Sequence, residues 1–168
     1  MPSCRARREE GLSPEPPDLR LTLHADYSLR VLMYLAVRPG RPASTQEIAD
    51  SYGISKHHLV RVVQTLAQQG DVEVRPGRSG GVLLGRPPAD IRLGRVVRAA
   101  EPDFHLVECF DRERNTCPIA PACGLQGVLA EARNAFLATL DRYTLEDLLR
   151  RSKPGLSDLL LTPAAPEG

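Results

Sequence analysis

The sequence has no tryptophan, and three phenylalanines and four tyrosines bring its aromatic share to only 4%. A core built from these 168 residues must therefore be aliphatic, filled by Leu, Val, Ile and Ala. The length suits one small domain with an appended element. Long hydrophobic runs are missing too. The strongest, VLMYLAV at 31–37, is far shorter than the roughly 20 residues of a bilayer span, so no membrane role is expected. The basic residues near the start are followed by no apolar stretch, which argues against a secretory signal and for a cytoplasmic protein. Net charge is nearly absent, at +1, but residues 19–88 hold nine Lys/Arg against five Asp/Glu, and residues 89–168 ten against twelve. A basic first part suits an anionic partner. There is no internal repeat, nucleotide loop or nucleophile–base arrangement, so nothing points to an enzyme.

Residues 1–18, with four prolines and almost nothing apolar, read as a disordered extension. The segment 19–88 reads as a DNA-binding unit. Ala25, Leu29, Leu32, Met33 and Ala36 mark one face of a helix over 25–37, stopped by Pro39-Gly40. STQE at 44–47 offers a capping box, Ser44 reaching forward and Glu47 back, for a short helix that ends at Gly53. After this turn Ser55 can cap a third helix carrying Leu59, Val62, Val63 and Leu66. Two short helices about a tight glycine turn form a helix-turn-helix pattern. DVEVRPGRSGGVLLG then reads as two strands, 72–75 and 82–84, around a glycine-rich turn. A basic hairpin directly after a helix-turn-helix is a wing. The expected fold is mainly α with a small β-hairpin: a winged helix-turn-helix followed by a long dimerisation helix.

In such a fold Ser55, Lys56, His57 and His58 at the helix N-terminus can reach base edges or phosphates, and Arg61 lies one turn further on. Arg75 and Arg78, with Ser79 and Gly80 at the hairpin tip, can approach phosphates or a minor groove. The expected partner is double-stranded DNA carrying a palindromic operator, with half-sites about 34–36 Å apart. Residues 89–105 form a connecting helix using Ile91, Val96, Val97 and Ala100. Residues 127–150 hold the longest amphipathic stretch and a short helix capped near Thr144. Leu125, Val128, Leu129, Ala132, Phe136 and Leu140 make an apolar stripe with no intramolecular partner of equal length, which a homodimer would cover. Residues 151–168 read as a flexible tail, although LSDLLL at 156–161 can dock on the body.

Between these helices lies VECFDRERNTCPIAPACGLQ, residues 107–126, in a loop spanning 106–126. It holds three of the four cysteines, Cys109, Cys117 and Cys123; Cys4 sits in the extension. Three thiols cannot all pair as disulfides, and in a reducing compartment such a group binds metal or does redox work. They are one ligand short of a tetrahedral site. Seven and five intervening residues suit a cluster better than zinc, whose structural sites usually pair cysteines two to four residues apart. Zinc and a metal-free loop remain alternatives, and His24 and His105 are further ligand candidates.

With these parts in order, the chain resembles the IscR/NsrR family of winged-helix iron–sulfur regulators. LTLHADYSLRVLMYLA is similar to the family's opening helix. The run IADSYGISKHHLVRVVQTLAQQGDVEVRPGRSGGVLLG is similar to its helix-turn-helix and wing, and LVECF…CPIAPACGLQGVLAEARNAFLATLDRYTLEDLL to its cluster loop and dimerisation helix. The resemblance spans residues 19 to about 150 and is strongest to the nitric-oxide-sensing NsrR-type branch. It implies a 4Fe–4S cluster held by Cys109, Cys117 and Cys123, with Asp26 of the partner subunit as fourth ligand. It further implies nitric oxide as effector and nitrosative-stress genes as targets. The cluster-biogenesis branch, which holds 2Fe–2S, places a histidine where this chain has Gln126. An IscR-like 2Fe–2S regulator is thus the alternative reading.

Overall fold

The computed structural model describes residues 20–152 and 154–161. The extension expected at 1–18, Cys4 within it, and residues 162–168 lie outside the described residues. Helix α1 spans Leu23–Ala36, with Thr22 accepting from the Ala25 amide at its start. Its buried face is Ala25, Ser28, Val31, Leu32, Tyr34 and Leu35, whereas Leu29, Met33 and Ala36, expected in the core, are only partly buried against it. A serine can take the central position because its hydroxyl donates to the His24 carbonyl at 2.7 Å, leaving no unsatisfied polar group.

Helix α2 (Thr45–Tyr52) carries the full capping box of Ser44 and Glu47. Helix α3 (Lys56–Gln68) buries Leu59, Val62, Val63 and Leu66, the expected stripe. Ser55 occupies its N-cap position, but its hydroxyl makes no capping bond. Strands β1 (Val72–Arg75) and β2 (Gly81–Leu84) pair antiparallel, with Val72 opposite Leu84 and Arg75 opposite Gly81. Ala43 adds a single rung from outside the two strands by exchanging both backbone bonds with Val82, at 3.0 and 2.8 Å. A side chain on Gly81 would lie 2.8 Å from the Ala43 carbonyl, and its φ of 149° excludes most residues. The wing is thereby stitched to the segment that precedes α2, and the winged helix expected from the pattern is present.

Helix α4 (Leu93–Ala100) sinks Leu93, Val96, Val97 and Ala100 and packs on α1. It is shorter than the expected 89–105, because Pro88–Asp90 forms a separate 3-10 turn and Pro102 bars its extension. Helix α5 (Gly124–Asp141) is joined to the body at its C-terminal end. There Leu93 donates to the Tyr143 carbonyl and Leu145 to the Ile91 carbonyl, at 3.0 and 2.8 Å. Only Leu137 of α5 is buried; of the expected stripe, Leu125, Val128 and Phe136 are 60%, 62% and 42% exposed. Helix α6 (Leu145–Arg151) starts with a Thr144–Asp147 capping box. Residues Leu156–Leu161 form α7, whose Leu160 is buried in the core shared with α1, α2 and α3. No helix among the described residues is long and apolar enough to cross a membrane.

Candidate DNA-binding face and cysteine loop

The N-terminal turn of α3 is presented to solvent. Ser55, Lys56, His57, His58 and Arg61 are all exposed, while Leu59, between them, anchors the helix in the core. At the wing Arg75, Arg78 and Ser79 are exposed and Gly80 is half-buried. A Cβ on Gly80 would come within 2.1 Å of the Arg75 carbonyl, so only glycine permits this tight tip. Arg75 is engaged by Glu73, Nε to Oε1 at 2.8 Å, and this bond draws the Glu73 carboxyl below the usual carboxylate range.

One node escaped sequence reasoning. Asp71, fully buried, follows the end of α3 and is ion-paired with Arg95 of α4 and with Arg86 after the wing. Arg86 also donates to the Gln69 and Gly70 carbonyls, at 2.8 and 3.1 Å, capping α3. The end of α3, the wing and α4 thus meet on one carboxylate. Nothing local announces this, because the partners lie 15 and 24 positions away in the sequence.

Asp26 lies in the first turn of α1, half-buried, where Arg30 binds it at 2.8 Å. The Arg30 guanidinium also lies over the Tyr27 and Tyr52 rings, 5.8 Å from each centroid. Tyr52 donates to the Arg30 carbonyl at 3.0 Å, and burial pushes its phenol up to about 12, so it stays a neutral donor. Around Asp26, α1 touches α3 twice. The Tyr27 ring stacks on that of His58, with centroids 6.4 Å apart, and His24 Nε2 bonds the Thr65 hydroxyl at 3.0 Å. His24 is therefore committed to α3. His105 is exposed and sits beside Asp103. The start of α1 is tied to the end of α4 by Glu101, which accepts from the Thr22 amide at 2.8 Å.

The three loop cysteines are free and half-buried. Each sits at a turn: Cys109 within a 3-10 turn at Glu108–Phe110, Cys117 just before another at Ala120–Ala122, and Cys123 at the N-cap of α5. The donor set fits an iron–sulfur cluster, since soft thiolates are the ligands such groups take. It is also incomplete. Among the described residues of the single chain, no three His, Cys, Asp or Glu side chains are gathered into a cage for a metal ion.

A family model described as Rrf2, iron-dependent transcriptional regulator, matches residues 21–151. The chain belongs to the Rrf2 family. Rrf2 members are transcriptional regulators, and this chain is accordingly a regulator and not an enzyme. It is 52% identical over 136 residues to the HTH-type transcriptional regulator NsrR of Bacillus subtilis, covering 80% of this chain and 93% of that protein. NsrR of Bacillus licheniformis is 48% identical over 132 residues, 78% of this chain and 92% of the relative. Among solved structures, CymR, the global cysteine regulator of B. subtilis, superposes with a TM-score of 0.65 at 28% identity, covering 81% of this chain and all of that one. The IscR of T. potens gives 0.66 at 24% identity, over 82% and 91% of the two chains, and shares the fold.

Proposed function

We propose that this Rrf2 protein is a homodimeric, cytoplasmic repressor whose operator affinity is set by a nitric-oxide-sensitive 4Fe–4S cluster, and that it regulates nitrosative-stress genes. The reading is supported by the presence of both three free thiols before and at the head of α5 and an acidic residue in the first turn of α1, the helix that contacts α3. Cys109, Cys117 and Cys123 hold the group from one protomer, and Asp26 of the partner subunit completes it. Bound there, the cluster supplies an iron whose hard carboxylate ligand is its weakest, and which a small diatomic therefore reaches first.

The chain's own residues carry the consequence. Arg30 holds Asp26 when no metal does, so the carboxylate has two alternative partners. Its neighbours Tyr27 and His24 contact His58 and Thr65. A change at Asp26 is therefore felt where α3 presents Lys56, His57 and His58 to DNA. Coupling of about 1–3 kcal/mol corresponds to a 5–150-fold change in operator affinity. Gel-shift titration of anaerobically purified protein on an upstream palindrome tests this reading, with and without nitric oxide. Affinity should fall within that range on exposure to the gas. Unchanged affinity, or an Asp26→Ala variant with the same centre and response, overturns it. A 2Fe–2S spectrum would favour the cluster-biogenesis type instead.

A further inference from the structure

The loop at 106–126 has little regular structure, yet its three cysteines are linked through their neighbours by side-chain bonds that the ligand reading leaves unexplained. Glu108, one residue before Cys109, accepts at Oε1 from both the amide and the hydroxyl of Thr116, at 2.5 and 2.6 Å. Thr116 is one residue before Cys117. Gln126, three residues after Cys123, donates from Nε2 to the carbonyl of Cys109 itself at 2.8 Å. The Arg133 guanidinium lies 5.0 Å over the Phe110 ring, adjacent to Cys109. Gln126, Ala130 and Arg133 stand at i, i+4 and i+7, one face of α5, and with Cys109 and Phe110 they wall a pocket of about 360 Å³.

We infer that Gln126 and Glu108 are positioning residues for the iron–sulfur ligands, holding the backbone turns that carry Cys109 and Cys117 in place beside the first turn of α5. This rests on the proposed reading that the loop carries such a cluster. The chemistry follows from the donor and acceptor roles. The Gln126 amide is the only part of that side chain able to donate to a carbonyl, and it fixes the Cys109 turn against the helix that starts at Cys123. Glu108 then sets the distance along the loop from Cys109 to Cys117 by closing eight residues on one carboxylate oxygen. A side chain that holds the backbone in this way is not itself a ligand. Gln126 thereby keeps its position out of the metal's coordination shell and leaves the fourth place to a group from elsewhere.

The experiment uses full-length protein, reconstituted anaerobically, as wild type and as Gln126→Glu, Glu108→Ala and Glu108→Gln. Gln126→Glu keeps length and volume but, when ionised, cannot donate to the carbonyl. Glu108→Gln keeps an oxygen that accepts from Thr116. Visible circular dichroism and the rate of bleaching by a chelator are read on the loaded proteins. Amide hydrogen exchange at Thr116 is read on the metal-free ones. Gln126→Glu and Glu108→Ala should bleach about 10–100-fold faster than wild type, with altered dichroism. Glu108→Gln should stay near wild type, and the Thr116 amide should exchange faster in Glu108→Ala. Wild-type bleaching rates and dichroism in Gln126→Glu and Glu108→Ala overturn the inference. So does unchanged Thr116 exchange in Glu108→Ala, a result that stands even if that variant takes up no iron. A wild-type protein that never loads iron instead sinks the function proposed above, while the exchange measurement still decides the clamp.

Discussion

At the scale of single residues, Asp71 shows how one buried charge organises the winged-helix half. Its carboxylate is nearly inaccessible and answers Arg95 from α4 and Arg86 from behind the wing, and its Oδ2 has no hydrogen-bond partner among the described residues. Removing the acid leaves two half-buried guanidinium groups without their counter-charge. Asp71→Ala should therefore cost about 3 kcal/mol in urea unfolding, at the low end of the usual 3–5 because both guanidinium groups reach water. A loss below about 0.5 kcal/mol would mean that the arginines relax to solvent without penalty. Glu73 presents the opposite case, an exposed acid paired with Arg75, and one that would compete with DNA if Arg75 is a phosphate contact as proposed. Glu73→Gln should tighten operator binding at low salt and steepen the salt dependence by about one unit, since Arg75 is then free for a phosphate. Unchanged affinity and slope would place Arg75 outside the contact surface.

Among the elements, the helices that begin with capping boxes carry carboxylates whose contribution to stability responds to acid. Glu47 and Asp147 are both held below the usual carboxylate range, chiefly by the backbone amides of Ser44 and Thr144. A carboxyl depressed in the folded state contributes fully above its unfolded value, and that contribution drains away as pH falls toward the lowered one. Melting temperatures should thus drop on acidification below about pH 4, where unfolded Glu and Asp take up protons. The drop should be smaller in a Glu47→Gln, Asp147→Asn protein. Equal losses in both proteins would assign acid sensitivity to other groups. These same boxes explain why α2 and α6 were legible in the sequence, as the apolar stripe explains α3. Their start signals and apolar stripes are local, and Ser44, Glu47 and Thr144 sit where the pattern puts them. What the sequence could not disclose depends on distant partners: the Ala43 rung on the wing, the burial of Ser28, the Asp71 node, and Gln126 turning to Cys109. The stripe on α5 was legible, but not the residue that α5 buries. Leu137 shares a face with Gln126, Ala130 and Arg133, roughly 100° round the helix from Leu125, Val128, Ala132 and Phe136, because successive residues advance by that angle.

On the scale of the whole molecule, those two faces of α5 divide the labour. One holds the cysteine loop and meets the body; the other stays apolar and uncovered, with Val128 and Phe136 exposed. If the second face joins two copies, Val128→Asp with Phe136→Asp should convert the protein to a monomer in sedimentation experiments and abolish binding to a full palindrome. Its melting temperature should be independent of protein concentration, whereas that of the wild-type dimer should rise with concentration. A variant that remains dimeric would move the contact elsewhere.

The attachment of α5 near residues 91–93 and 143–145 has one more effect. A rod of 18 residues is about 27 Å long at 1.5 Å per residue, so a tilt of about 5° at its root displaces the far tip by roughly 2 Å. The cysteines ride at that far tip. Close to the root, Arg98 grips Asp141 with both nitrogens, at 2.5 and 2.6 Å. Read backwards, the same arm gears a slight drag on its thiol-bearing end down to a finer but more forceful twist at α4, the helix whose Arg95 grasps Asp71 beneath the wing.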